Sequence, residues 1–194
     1  MSFQQCSIQM RVTISHQLPN YLPNNEVKYL FLGTFNPEGG SQVSVHYGRE
    51  KNQTWKILSR IFEVQLDPLS EEMNVNMRKL GIYCVDLIQA IEVPIDLKPK
   101  IIGQGYSDSI LFKQSIKRSY IDVVALNAFL ELQPNICVFS TWGRGPQNME
   151  WQNLVRKINA NIVPLVSPSM AARVPKGVKK YEYMLSDWRR KIIG

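Results

Sequence analysis

Histidine and cysteine are scarce in this sequence of 194 residues, and both shortages exclude classes of site. The two histidines, His16 and His46, lie far apart and no pair of cysteines accompanies them, so no zinc-ligand spacing is present. Cys6, Cys84 and Cys137 are odd in number and unclustered, which does not fit a disulfide framework. Cys84 and Cys137 stand inside apolar runs and are predicted to be buried free thiols, as in a reducing cytoplasm. We therefore expect no zinc site and a cytoplasmic location.

Long apolar runs and nucleotide-binding motifs are also absent. No apolar stretch approaches the length of a membrane span, and no basic-then-apolar signal pattern is present at the N-terminus, so no membrane partner is expected. Neither a G-x-x-x-x-G-K-[ST] loop nor a G-x-G-x-x-G after a predicted strand occurs. ATP and dinucleotide chemistry are therefore poor interpretations, and two histidines are too few for an evident Ser-His-Asp set.

Positive charge is plentiful, with a formal net charge of +7 and a pI of about 9.4. This favours a polyanionic partner such as nucleic acid. The basic residues concentrate toward the C-terminus: Arg173, Lys176, Lys179, Lys180, Arg189, Arg190 and Lys191. Two interpretations stay open, because such residues can form the solvated face of a terminal helix or a face that contacts phosphates.

One stretch, residues 27–58, organises the chain. It opens with an apolar run at 27–32, which is typical of a strand buried on both faces, and Gly33 ends that run. A long polar loop follows, and apolar residues at helical spacing then predict a helix over 53–63 with Asn52 as its N-cap. A loop of this length at a strand end is more typical of a site than of a linker.

Further strands and helices alternate along the rest of the chain. An alternating segment at 7–15 predicts an edge strand, and a turn-rich segment follows it. The later predicted elements are helix 67–80, strand 82–88, loop 94–106, helix 107–132 with a break near 119, strand 136–141, helix 151–159, strand 162–166 and helix 178–193. This order predicts one domain over 1–194, with a three-layer α/β/α fold and a short, four-stranded, mainly parallel sheet.

The polar loops follow the predicted strands, so in a parallel sheet they converge on one edge. The loops that carry Asn36, Trp142 and Ser167 would then line one cleft. Asp86 lies near the end of the second predicted strand, and we expect it to orient a loop or cap a helix. His16 is expected to be a surface loop residue, and Glu38 is expected in a solvated loop unless burial makes it a general base.

Four segments resemble the uracil-DNA glycosylase superfamily, over about residues 27–175. They read GTFNP at 33–37, YGREKNQTW at 47–55, GIYCVDLI at 81–88 and SPSMAAR at 167–173. The resemblance is greatest to the mismatch-specific and hypoxanthine-type branches. It implies a DNA glycosylase that hydrolyses the N-glycosidic bond of a damaged or mismatched base (uracil, hypoxanthine or mismatched thymine) flipped out of DNA.

The resemblance also implies roles for individual residues. Asn36 would position the attacking water, or Asn52 would do so as in the hypoxanthine-type branch. The base pocket would contain Phe35 and Tyr47 as stacking partners, with Gly33, Thr34 and Trp142. The DNA contacts would be Ser167, Ser169, Met170, Arg173 and Arg144, with Met170 as the wedge that fills the base stack. A monomer without a metal or cofactor is expected, and no lysine is evidently placed for lyase chemistry.

Two departures keep other functions open. Ser167 stands where the related enzymes place His or Asn, and Ala171 stands where a bulky wedge is usual. The alternative is therefore a weakly active or inactive nucleic-acid-binding module of the same fold. A hydrolase of free nucleosides or nucleotides is a third possibility. It would need little positive charge outside the pocket, so the basic C-terminal helix does not favour it. Each site residue also has a structural interpretation: Asn36 in a turn, Asn52 as a cap, and Phe35 and Tyr47 in the core.

Overall fold

The computed structural model describes residues 10–18, 21–103, 105–143 and 145–194. These residues form seven strands and six α-helices. The strands are β1 (Arg11–Ser15), β2 (Tyr29–Gly33), β3 (Ile82–Asp86), β4 (Ile88–Pro94), β5 (Lys117–Tyr120), β6 (Cys137–Ser140) and β7 (Ile162–Pro164). The helices are α1 (Thr54–Phe62), α2 (Met73–Leu80), α3 (Lys98–Ile102), α4 (Val123–Glu131), α5 (Met149–Arg156) and α6 (Lys180–Ile192). Short 3₁₀ helices cover Ile95–Leu97 and Asp108–Phe112.

A four-stranded sheet in the order β3-β2-β6-β7 lies at the centre, and every neighbouring pair is parallel. In β2, Leu30, Phe31 and Leu32 are completely buried, because helices cover both faces of the sheet. Leu30 and Leu32 pack with α4 and α5, whereas Phe31 packs with α1 and α6. The predicted four-stranded α/β fold is confirmed, and its strand ends position the site.

A second sheet, antiparallel and ordered β1-β4-β5, stands beside the first. The predicted edge strand at 7–15 corresponds to β1 where the chain is described, and β1 is an edge of this sheet. The strand predicted at 82–88 is present as β3 but ends at Asp86, since the chain divides between β3 and β4 at Leu87. The main-chain N–H groups of Leu87 and Ile88 donate to the carbonyls of Gly33 and Thr34 before the chain enters the second sheet.

The helix predicted over 107–132 is wrong before the break expected near 119, and only the part after that break contains an α-helix. The segment contains a 3₁₀ turn, then β5, and only then α4. Lys117 faces Glu92 across the sheet, whereas Arg118 turns inward to the carbonyl of Leu111 and to Glu150, so these charged residues alternate as in a strand. The Asp122 carboxylate accepts from the N–H groups of Val124 and Ala125 and starts α4 there.

Smaller corrections concern element ends and one cysteine. Helix α2 begins at Met73 rather than 67, because Asp67 accepts from the N–H of Leu69 and holds a turn before it. The predicted loop at 94–106 contains the short helix α3. Cys84 is buried as predicted, but Cys137 is exposed at the start of β6. Within the described ranges, no helix has the length and apolar character needed to cross a bilayer.

Candidate active site

A cleft of about 500 Å³ opens at the C-terminal edge of the parallel sheet. Its walls come from the loops after β2, β6 and β7, the end of β3 and the segment that precedes β5. The structure brings together in its lining these residues singled out from the sequence: Thr34, Phe35, Asn36, Tyr47, Asn52, Trp142, Ser167, Ser169 and Met170. The convergence follows from the parallel sheet, in which all strand ends of one kind meet at one edge.

Asp86 forms the floor of this cleft and is 2% exposed. Its Oδ2 atom accepts hydrogen bonds from Nε2 of His16 at 2.8 Å and from Nδ2 of Asn36 at 2.7 Å. Its Oδ1 atom lies against Gly33, where an added Cβ would stand only 1.9 Å away. Gly33 therefore makes room for the carboxylate. From the sequence, Asp86 was expected to orient a loop or cap a helix, and the structure places it in the lining of the cleft.

The pKa of Asp86 is lowered despite its burial. Burial alone would raise this pKa, because a charge is costly to remove from water. The hydrogen bond from His16, the positive potential of His46 and His16 and the hydrogen bond from Asn36 outweigh burial. The cleft therefore has a carboxylate at its floor at neutral pH, held in one orientation by two donors.

Both histidines lie next to this carboxylate, although they are distant in sequence. His16 is not a surface loop residue, since its side chain is 4% exposed and its Nδ1 accepts from the N–H of Leu18 at 3.0 Å. The His46 ring stacks on His16 with centroids 5.7 Å apart, and burial lowers the pKa of His46. No local signal could have shown this, because loops from two sheets bring the rings together.

His16, His46 and Asp86 also form the group most suited to a metal among the described residues, with ligand atoms within 4.8 Å of one another. However, His16 Nε2 and Asp86 Oδ2 lie 2.8 Å apart, which is a hydrogen-bond distance. A metal ion bound between them would displace the proton of this hydrogen bond. The geometry is that of a hydrogen-bonded network that orients a carboxylate.

Asn36 and Asn52 occupy different settings in the cleft. Asn36 is 8% exposed, and its amide nitrogen is committed to Asp86, which fixes the direction of its carbonyl oxygen. Asn52 accepts from the N–H of Thr54 at 2.9 Å, so it stabilises the start of α1 from one position earlier than a strict N-cap. Asn52 also pairs with Ser169, which ties the loop after β2 to the loop after β7.

The two aromatic residues predicted for base stacking are partly engaged in the core. Phe35 is 3% exposed and meets the His16 ring edge-on at 5.6 Å. Tyr47 has a φ of 59°, and its hydroxyl lies 3.2 Å from that of Thr141. Burial raises the pKa of Tyr47 well above its ordinary value, so its hydroxyl stays protonated. Both side chains nevertheless reach the cleft lining.

One wall of the cleft was missed by sequence reasoning. There the Thr34 hydroxyl hydrogen-bonds Oδ2 of Asp108, and the Arg49 guanidinium lies 4.7 Å from the centroid of the Tyr106 ring. Within this wall, the buried Nε atom of Arg49 lacks a hydrogen-bond partner among the described residues. The polar run Tyr106-Ser107-Asp108 after a glycine was the available signal.

The pKa of Asp108 is shifted in the opposite direction to that of Asp86. The residue as a whole is exposed, whereas the protein packed around its carboxyl group raises its pKa, with a further contribution from the charge of Asp86. Thr34, Arg49 and Tyr106 oppose this rise without cancelling it. A second cavity of about 390 Å³ adjoins the wall and shares Asp108 and Thr34 with the cleft.

The loop after β7 forms the rim of the cleft. Met170 is 45% exposed, and the Lys180 ammonium group donates to its carbonyl, which anchors the loop to α6. The hydroxyl of Ser169 accepts from the N–H of Ala171 at 3.1 Å. Arg173 is exposed nearby on the same loop, whereas Arg144 lies outside the described residues. Glu38 is exposed and is not part of the cleft lining.

The basic C-terminal helix uses part of its charge internally. Lys191 pairs with Asp187 at 2.7 Å and donates to the carbonyl of Pro164, and Arg189 donates to the carbonyl of Arg60 at 3.1 Å. Lys176 and Lys179, which precede the helix, are exposed. The positive groups that remain accessible to a polyanion therefore lie toward the rim loop as well as on the helix.

Comparison with known proteins finds one structural relative that informs the fold. No family model matches the chain, and no curated protein matches it. The chain is similar to the solution NMR structure of "a putative Uracil DNA glycosylase" from Methanosarcina acetivorans, with a TM-score of 0.56 and 17% sequence identity. The match covers 93% of this chain and 99% of the other. At this identity the likeness shows that the two chains share a fold.

Proposed function

We propose that the protein is a monofunctional DNA glycosylase that hydrolyses the N-glycosidic bond of a damaged or mismatched base flipped out of DNA. The observation that carries the proposal is the buried carboxylate of Asp86, hydrogen-bonded to Asn36 at the floor of a cleft large enough for a nucleoside. Uracil, hypoxanthine and mismatched thymine are the candidate bases.

The chemistry explains why a carboxylate and an amide are useful together. As the base departs, the sugar develops positive charge, and a fixed negative charge in a poorly hydrated cleft stabilises it. The amide nitrogen of Asn36 is held by Asp86, so its carbonyl oxygen can orient the attacking water. Asparagine is not a base, but the Asp86 carboxylate can accept the proton that this water releases.

DNA is the proposed partner because the rim of the cleft suits it. The exposed side chain of Met170 can enter the gap left by an extruded base, and anchoring by Lys180 holds it in place. Ser167, Ser169 and Arg173 would contact the backbone, as would Arg144. The net charge of +7 supports a polyanionic ligand, so binding should weaken steeply as the salt concentration rises.

The test uses end-labelled oligonucleotides that contain uracil, hypoxanthine, or thymine opposite guanine, in single- and double-stranded form. Alkali treatment then cuts at abasic sites. We expect cleavage at one class of base, lost in Asn36→Ala and unchanged in Asn74→Ala, a matched control on the exposed side of α2. Asn52→Ala decides whether that side chain does more than support α1.

The alternative is a nucleic-acid-binding module of the same fold without hydrolysis. Ser167 and Ala171 favour it, because neither supplies the side chain that the related enzymes use at that position. Salt-sensitive DNA binding without cleavage of any substrate would establish this alternative and refute the glycosylase. We also propose that residues 1–194 act as one monomeric domain in the cytoplasm, which sedimentation analysis and cell fractionation would check.

A further inference from the structure

We propose that Asp108 is the general acid of this reaction, and that it delivers a proton to a ring nitrogen of a departing purine base. The proposal rests on the proposed glycosylase function and adds a catalytic residue and a substrate class to it. It assigns a role to the cleft wall formed by Thr34, Arg49, Tyr106 and Asp108. The groups proposed to act on the water, Asn36 and Asp86, are not part of this wall.

Asp108 lies where the cleft and the second cavity adjoin. Its side chain lines both the cleft and the adjoining cavity of about 390 Å³, so a base that enters either space lies beside it. The Thr34 hydroxyl donates to Oδ2, which makes that oxygen an acceptor. Oδ1 is therefore the atom that can hold the transferable proton, and the hydrogen bond fixes the plane of the carboxyl group.

The pKa values of the two carboxyl groups in the cleft are shifted in opposite directions. Asp86 has a lowered pKa and Asp108 a raised one, as expected when two carboxyl groups divide the roles of base and acid. The groups that face Asp108 are Thr34, Arg49, Tyr106 and, through its charge, Asp86. The nearby negative charge of Asp86 favours the protonated form of Asp108, so the roles of the two groups reinforce each other.

One buried polar atom of this wall, Nε of Arg49, lacks a hydrogen-bond partner among the described residues. Buried polar groups in proteins almost always have hydrogen-bond partners, and exceptions call for an explanation. Tyr106 hydrogen-bonds to Asp108, and burial raises the pKa of Tyr106 well above its ordinary value, so its hydroxyl is a neutral donor. A polar base in this space would satisfy Nε of Arg49.

The proposed step balances in atoms and charge. The bond between C1′ of the sugar and the base nitrogen breaks, and its electron pair goes to the base. Oδ1 of Asp108 gives its proton to an imidazole-ring nitrogen of the purine, so the base leaves as a neutral molecule. Water adds to C1′, oriented by Asn36, and its proton goes to Asp86. Exchange with solvent then restores both carboxyl groups. A pyrimidine such as uracil leaves as a delocalised anion and gains little from this acid.

The experiment compares two leaving groups in the full-length chain. Duplex oligonucleotides carry either hypoxanthine, which needs protonation, or 7-methylguanine, whose ring is already cationic and needs none. We expect Asp108→Asn to slow single-turnover release of hypoxanthine by about 100-fold or more, the usual contribution of a general acid. Release of 7-methylguanine should change less than about threefold. A 7-deaza analogue of hypoxanthine, which lacks the ring nitrogen, should resist the unaltered protein.

The controls make every outcome decisive. Glu131→Gln removes one negative charge at the exposed end of α4 and should leave both rates unchanged. Equal loss of both substrates in Asp108→Asn, or loss of neither, would overturn the general acid and leave the glycosylase standing. Release of pyrimidines alone by the unaltered protein would overturn the purine assignment in the same way. Absence of release of any base would instead refute the proposed function itself.

Discussion

Replacing Gly33 with alanine should disrupt the site from beneath. An added Cβ would stand 1.9 Å from Oδ1 of Asp86 and 2.7 Å from the Tyr47 hydroxyl, whereas ordinary contact begins at 3.4 Å. The backbone at Gly33 is not in the left-handed region, so alanine is excluded by the neighbouring side chains and not by its own conformation. Asp86 would have to retreat by about 1.5 Å to accommodate the methyl group.

The cost follows from what that movement breaks. The hydrogen bonds from His16 and Asn36 to Asp86 are 2.8 and 2.7 Å long and would be stretched beyond useful length. Hydrogen bonds to charged groups contribute about 1.5–3 kcal/mol each, and overpacking adds about 1–3 kcal/mol. Allowing for partial relaxation, we expect Gly33→Ala to lower the free energy of unfolding by about 3–5 kcal/mol, a large part of a typical domain's stability.

Urea denaturation followed by tryptophan fluorescence measures this loss, and oligonucleotide cleavage measures its effect on activity. Gly177→Ala is the matched control, because its φ of 83° imposes backbone strain while no atom lies within 4 Å of the added carbon. Gly177→Ala should lower the free energy of unfolding by only about 1–2 kcal/mol. If Gly33→Ala costs no more than Gly177→Ala and remains active, the tight packing of Asp86 on Gly33 is not what holds the carboxylate in place.

Three further perturbations test the site. Asp86→Asn keeps an acceptor for Asn36 but removes the charge, so base release should fall about 100- to 1000-fold, and an unchanged single-turnover rate would exclude electrostatic catalysis by Asp86. The lowered pKa of Asp86 contributes stability that is present at neutral pH and is lost as pH falls below about 4 and through the folded-state pKa. Urea midpoints from pH 7 to pH 3 should therefore fall more for the unaltered protein than for Asp86→Asn, and parallel curves would contradict this. Met170→Ala should reduce release from duplex DNA more than release from single strands, and an equal reduction would remove Met170 from the duplex contact.

The sequence predicted the central sheet because each strand there has its own local signal. Leu30, Phe31 and Leu32 form an apolar run that fits only a strand covered on both faces, and polar loops follow such strands at one edge. The convergence of Asn36, Trp142 and Ser167 on one cleft followed from that geometry. The roles of these residues in catalysis and DNA binding stay predictions.

The second sheet and the Asp108 wall could not be predicted in the same way. Arg118 in β5 points inward because it binds Glu150, which belongs to a helix distant in sequence. The local pattern of the segment contains no sign of this contact, and it suggested a helix. His16 looked like a turn residue because its partner Asp86 is 70 positions away. Long-range polar contacts of this kind leave no periodic pattern in the sequence.

The hydrogen bond between His16 and Asp86 also has a kinetic consequence. It joins residues 70 positions apart, one directly after β1 and the other at the end of β3, so the intervening chain must close before it can form. During refolding from denaturant, the helices and the parallel sheet can assemble without it, and the fluorescence of the buried Trp188 should recover with them. Competence for base release would return in a later phase, when β1 docks. Docking of β1, the first strand among the described residues, would then be the final step of site assembly.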